Sequence, residues 1–198
     1  MQKIPTIFKR ERQGRMYLAT PEANPECQWV FAGEGIATDK IDGTCCAVIR
    51  GRLYARHCLK TGKPMPDGWR HWSGDPAQRT GHGWRPVGDG PEDRWHREAL
   101  EGLGDLDECT CELIGPKIQG NPYRLERHQL KVHGSTLLEG HGLVFEQAPR
   151  TFDGLRKWLE KNRTEGIVWH HPDGRMAKVK RRDFGISWPA RQKTTDEH

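Results

Sequence analysis

A chain of 198 residues is long enough to bury one sizeable core. With 34% hydrophobic residues, 30% charged residues, eight Trp, five Phe and three Tyr, it is too rich in aromatic mass for a disordered tail; its 23 Gly and 13 Pro exclude a long helical bundle. The net charge of +5 and a pI near 8.9 favour anionic partners such as nucleotides or nucleic acid.

The N-terminal stretch MQKIPTIFKRERQGR lacks the apolar core of a signal peptide, and no later run approaches a membrane span. From Gly35 to His57 the pattern predicts a strand, a turn and a hairpin. Its arms are Thr44 to Arg50 and Leu53 to His57, joined by Gly51-Arg52. Residues 60–92, rich in Gly, Pro, Trp and Arg, predict a long surface loop that covers a ligand. EDRWHREALEGL, from Glu92, predicts a helix with Trp95, Ala99 and Leu103 as its apolar stripe and its acids in the first turn. Glu108 to Ile114 predicts a strand that Gly115-Pro116 ends. Thr151 to Lys161 predicts an amphipathic helix with Phe152, Leu155, Trp158 and Leu159 inward. Gly166 to His170 and Met176 to Arg181 predict strands joined at Pro172-Asp173-Gly174. Strands outnumber helices and connect as hairpins, so the expected class is α+β, with antiparallel sheets and flanking helices.

The six cysteines form no CxxC pair, and Cys45-Cys46 reads as two small strand residues on opposite faces. A reducing cytoplasm is the expected location.

The chemistry-bearing residues are spread along the chain. Lys40-Ile41-Asp42-Gly43 places an amine at a strand end before a glycine turn; such an amine becomes a nucleophile only when nearby cations or burial favour its neutral form. The ordinary alternative is an exposed Lys ahead of a hairpin turn. In Lys178-Val179-Lys180, two lysines of one strand share a face, an arrangement suited to an anion such as a triphosphate, or to a solvated sheet edge. Glu165, opening the neighbouring strand, suits a hydrated Mg²⁺ (or Mn²⁺) beside phosphates, or a plain ion pair with Lys178 or Lys180. Glu112, on an apolar strand, needs a partner such as a ribose hydroxyl or a metal.

Together and in this order, KIDG, ELIGPKIQGNP, EGIVW and KVKRRDF resemble motifs I, III, IV and V of the covalent nucleotidyltransferases, which include ATP-dependent DNA and RNA ligases and mRNA capping enzymes. IPTIF, ATDKIDGTCC, GNPY, HQLKVHG and EGIVWHHPDGRMAKVKRRDFGISWP are more similar still to the small 5′-to-3′ RNA ligases of vertebrates and bacteria, over roughly residues 4–189. The resemblance implies a single nucleotidyltransferase (adenylation) domain over residues 1–198. It implies ATP as substrate with Mg²⁺, a lysyl-AMP intermediate, and RNA carrying 5′-phosphate and 3′-hydroxyl ends as the partner to be sealed or repaired. Lys40 would be the nucleophile, Glu165 the metal ligand, Lys178 and Lys180 the α-phosphate clamp and Glu112 the ribose contact. Arg56 would reach ribose or RNA phosphate, Asp39 would accept from the adenine amino group, and His133 would stack on the base, with His141 in a second His-Gly pair nearby. About a dozen residues follow the RDF segment, so no C-terminal OB domain is expected. That disfavours capping and leaves DNA nick sealing, transfer to another acceptor, or a catalytically inactive RNA-binding domain as the alternatives.

Overall fold

The structure is a computed structural model and describes residues 4–74, 81–101, 107–133 and 144–188. These form two compact units, one within 42–133 and the other combining 4–41 with 144–188. The class is α+β with antiparallel sheets and few helices, as expected. Among the described residues, no helix is long and apolar enough to cross a membrane.

In chain order, β1 (Phe8–Gln13) and β2 (Met16–Ala23) form a hairpin closed at Gly14, whose φ of +62° suits a residue without a side chain. A 3-10 turn over Pro25–Cys27, capped by the Asn24 side chain, leads into the short α1 (Gln28–Phe31). Next come β3 (Ile36–Asp39), β4 (Thr44–Ile49), β5 (Arg52–Leu59), β6 (Arg70–Ser73) and β7 (Gly81–Pro86). Then follow α2 (Arg94–Leu100), β8 (Cys109–Ile114), β9 (Gln129–Val132), α3 (Phe152–Lys161), β10 (Gly166–His170) and β11 (Met176–Lys180).

The unit within 42–133 is built on one six-stranded sheet of order β6-β7-β5-β4-β8-β9. Period-two alternation sorts its faces. Cys46, Val48, Leu53, Cys111, Leu113 and Leu130 pack with Trp95, Ala99 and Leu100 of α2. The opposite face holds Ala47, Tyr54 and Trp84, with Cys45 and Trp72 against them. Residues 60–92, expected as a loop, therefore contribute two strands. Trp84 is buried on the sheet and Trp72 packs edge-on to it at 4.3 Å, so the aromatic side chains that broke the apolar pattern are what fasten the strands. The helix expected from Glu92 starts as a 3-10 turn over Pro91–Asp93 and continues as α2 to Leu100; Leu103 lies outside the described residues.

The second unit holds the β1–β2 hairpin and a three-stranded sheet of order β11-β10-β3. Its core combines Ile7, Trp29, Val30, Ala37, Ile167, Trp169, Ala177 and Val179 with Leu155 and Leu159 of α3. Leu155, Leu159, Ile167, Trp169 and Val179 are fully buried, each of the aliphatic ones worth about 1.5–3 kcal/mol. The Thr151 hydroxyl caps α3 by accepting from the Gly154 N–H, which fixes the helix start where the sequence placed it. Residues 5–7 run parallel to the outer strand β11: the Lys178 N–H donates to the Pro5 carbonyl (2.9 Å) and the Ile7 N–H to the Lys178 carbonyl (3.0 Å).

Candidate active site

Five of the residues singled out in the sequence meet on the three-stranded sheet. Antiparallel register sets Gly166 opposite Lys180, Val168 opposite Lys178, and Ile167 opposite Asp39. Ala177 and Val179 are buried in the core, so the alternate residues Lys178 and Lys180 take the other face, as the Lys-Val-Lys pattern predicts. A hydrogen bond from the Lys40 N–H to the Gly166 carbonyl (3.0 Å) extends the ladder past β3 and brings the lysine alongside. Its Nζ donates to Glu165 Oε2 at 2.5 Å, with side chains only 21% and 13% exposed. Glu165 is thus ion-paired, but with Lys40 rather than with the Lys178 or Lys180 expected from the sequence.

Three ammonium groups share this face. Burial, then the charges of Lys180 and Lys40, push Lys178 down to about 8, with Glu165 and Asp183 resisting. Burial also lowers Lys180, against the opposing pull of Asp183 and Glu165. A surface holding half-buried cations so close together is suited to a phosphate group, which would relieve both the repulsion and the desolvation. Asp39 stands next to the nucleophile candidate; burial raises its carboxyl, while the Thr164 hydroxyl and Lys40 counteract. That hydroxyl is also within hydrogen-bonding distance of the Gly166 carbonyl (2.7 Å) and accepts from the Gly166 N–H (3.1 Å). Gly166 itself must be glycine, since a Cβ there would collide with the Val179 carbonyl.

Of the remaining three residues, Arg56 and Glu112 lie on the six-stranded sheet and His133 directly follows β9. Glu112 is opposite Cys45 on β4 and Lys131 on β9. Its Oε1 is 3.3 Å from His133 Nε2, and His133 Nδ1 is 2.9 Å from the Thr110 hydroxyl. Thr110 also accepts the His133 N–H through its carbonyl, so the ring is held from both sides. Arg56 is exposed and lines a cleft of about 270 Å³ with Gly43, Thr44, Cys45, Cys58, His82 and Gln119.

The segment following Lys40 is anchored by the GPKIQGNPY string. The Tyr123 hydroxyl accepts the Asp42 N–H at 2.6 Å, and the Gln119 side chain donates to the Gly43 carbonyl at 3.3 Å. A Cβ on Gly43 would strike the Leu113 carbonyl, which explains the glycine of KIDG as a close approach of two backbones. Gln119, Gly120 and Asn121 all have positive φ, and the Asn121 side chain closes this turn on the Leu125 backbone.

Three supporting residues were not singled out in the sequence. Thr164 precedes the EGIVW string, and Asp183, inside KVKRRDF, accepts the Lys180 N–H at 2.9 Å while 1% exposed. Thr110 orients His133. The strings contained Asp183, adjoined Thr164 and began two residues after Thr110, but nothing in their spacing marked a hydroxyl or a buried acid as a partner. His141 lies outside the described residues.

A model of the RNA ligase 1 family matches residues 91–198, more than half of the chain. That span includes Glu112, His133, Glu165, Lys178 and Lys180, while Asp39, Lys40 and Arg56 precede it. The chain is 29% identical to an RNA ligase 1 of Danio rerio, over 95% of this chain and 82% of the relative. It is 28% identical to an RNA ligase 1 of Mus musculus, over 94% and 81%. The chain belongs to the RNA ligase 1 family.

Proposed function

We propose that this protein is an ATP-dependent RNA ligase that works through a covalent nucleotide on Lys40. The observation that carries the reading is the Lys40–Glu165 pair beside the half-buried Lys178 and Lys180. In the first step, the Lys40 Nζ lone pair bonds to the α-phosphorus of ATP, the bond to the β-phosphate oxygen breaks, and pyrophosphate leaves. Glu165 Oε2, 2.5 Å away, is in reach of the proton that Nζ sheds. In the second step, an oxygen of an RNA 5′-phosphate attacks the same phosphorus and frees the lysine, leaving AMP on the RNA end. In the third, a 3′-hydroxyl attacks the 5′-phosphate, expels AMP and closes the phosphodiester.

Lys178 and Lys180 stabilise the negative charge that collects on the α-phosphate, a contribution that works best from fixed groups already stripped of water. Glu112 is assigned to the ribose, Asp39 and His133 to the base, and Arg56 to ribose or RNA phosphate. Among the described residues, no group of three or more His, Cys, Asp or Glu side chains is arranged to hold a metal ion. The donor set fits Mg²⁺ nonetheless, because that ion is commonly held by one or two carboxylates with phosphate oxygens and water. Glu165 would be its protein ligand, and the ion would supply charge neutralisation on the triphosphate.

Incubation with α-labelled ATP and Mg²⁺ should leave label on the chain that survives alkali and is released by acid, as a P–N bond requires. Lys40→Ala should abolish it. Label that persists in Lys40→Ala, or none with either ATP or GTP, overturns the reading. Sealing of nicked DNA but not of 5′-phosphorylated RNA overturns the choice of acceptor alone.

A further inference from the structure

The cleft of the six-stranded sheet has a chemistry distinct from that of the lysine face. Its seven lining residues include Arg56 and His82 but no acid. The described stretch from Gly43 to Gly74 carries six Lys or Arg (Arg50, Arg52, Arg56, Lys60, Lys63, Arg70) against Asp67 alone. Its excess of five equals the net charge of the entire chain, so the other residues carry equal numbers of each sign. A stretch that concentrates the whole imbalance and contributes Arg56 to an acid-free cleft suits a polyanion.

Beside the cleft stands an aromatic wall. Trp72 is half-buried, braced edge-on by Trp84 at 4.3 Å and flanked by His82 at 6.2 Å. Arg56 Cζ lies 6.0 Å from the Trp72 ring centroid, whereas Arg94 covers Trp95 at 3.8 Å. The Arg56 guanidinium is therefore not pressed onto the indole. Arg70, exposed on β6, is steadied by a hydrogen bond to the Tyr54 hydroxyl (3.2 Å). Arginines interleaved with a braced aromatic ring are the arrangement that grips unpaired nucleotides, with cations on phosphates and a π-face under a base.

We propose that this cleft and the Trp72 ring beside it hold single-stranded RNA, a phosphate on Arg56 and an adjacent base stacked against Trp72. The proposal rests on the RNA ligase reading for the identity of the strand, but its test does not depend on ligation.

Binding of a short 5′-phosphorylated oligouridylate, measured without ATP, should weaken by roughly 5-fold to 100-fold in Trp72→Leu, the range expected for loss of one stacked base. It should recover in Trp72→Phe, which keeps a π-face. Leu preserves apolar bulk, so a purely structural tryptophan would let both variants bind alike. In an oligonucleotide series with one base removed at each position in turn, one abasic position should erase the difference between the parent and Trp72→Leu. The exposed thiol of Cys58, in the same cleft, should be protected from alkylation by the oligonucleotide. Equal affinities for Trp72→Leu and the parent, or Cys58 alkylated at the same rate with and without RNA, overturns the proposal. Failure of Lys40 to take label while these binding differences persist would instead sink the ligase reading and leave the RNA cleft standing.

Discussion

The two sheets handle positive charge in opposite ways. On the three-stranded sheet the cations are lysines, and Lys178 and Lys180 are half-buried and lose proton affinity to burial and to the positive charges near them. On the face of the six-stranded sheet opposite α2, Arg56 and Arg70 stand exposed on β5 and β6. Arginine keeps its charge at any accessible pH and offers a planar fork to phosphate, whereas a desolvated lysine becomes a compact cation whose charge depends on its surroundings. The contrast separates two tasks. Lysines of adjustable protonation suit a face where phosphorus changes partners, and permanently charged arginines suit a face that holds a polyanion without altering it.

The largest effect should come where the six-stranded unit departs from its own pattern. Arg85 is paired through both terminal nitrogens (2.6 and 2.5 Å) with Asp93, which is fully buried and also accepts the Gly88 N–H at 2.8 Å. Asp93→Ala strands that guanidinium and should cost about 3–5 kcal/mol in chemical denaturation. A loss below about 1 kcal/mol would show that this arginine is as solvated as Arg56.

A smaller, pH-dependent effect should mark Lys178. Its folded pKa of about 8 lies below the ordinary 10.5, so the folded state releases a proton that the unfolded chain still holds between those values. Stability should therefore rise as pH climbs from about 8 to 10.5, while affinity for a nucleotide triphosphate falls as the charge is lost. Lys178→Met should flatten the rise in Tm across that window and reduce Lys40 labelling at pH 7 by about 10²–10³-fold. A rise in Tm that persists in the variant would assign it to another group, Lys180 being the next to examine. The smallest effect belongs to Arg175, exposed and bonded to the neighbouring Asp173. Arg175→Ala should move stability by less than about 0.5 kcal/mol, and a larger change would put weight on its approach to Trp29 at 5.5 Å.

Much of this architecture was legible where local chemistry and tertiary demand agreed. The hairpin β10–β11 and the helix α3 form where alternation and turn residues place them, while β4–β5 turns one residue earlier than expected, at Arg50-Gly51, where both φ values are positive. The convergence of Lys40, Glu165, Lys178 and Lys180 on one sheet was anticipated only as a set of motifs; β3 pairing with β10 is a contact of long sequence separation that no local pattern encodes. The misses have physical causes. Strand β1, FKRERQ, is almost wholly exposed and paired only with β2, so it shows no apolar alternation. Strands β6 and β7 are held by tryptophan packing within a Gly- and Pro-rich stretch whose composition reads as loop. Strand β9 is four residues long, too short for periodicity to register.

The run of residues 5–7 along β11 has a consequence for how this protein behaves in concentrated solution. An outermost strand offers unpaired amides and carbonyls to any extended chain that meets it, including another copy of itself. Here the backbone of Lys178 is occupied on that side by Pro5 and Ile7, with the Ile7 side chain sunk in the core as an anchor. A chain trimmed to begin after Ile7 would lose a hydrophobic plug and uncover this edge at the same stroke. Self-association should appear in such a chain before any loss of secondary structure, because the opened edge is a template for growth that residues 5–7 keep closed.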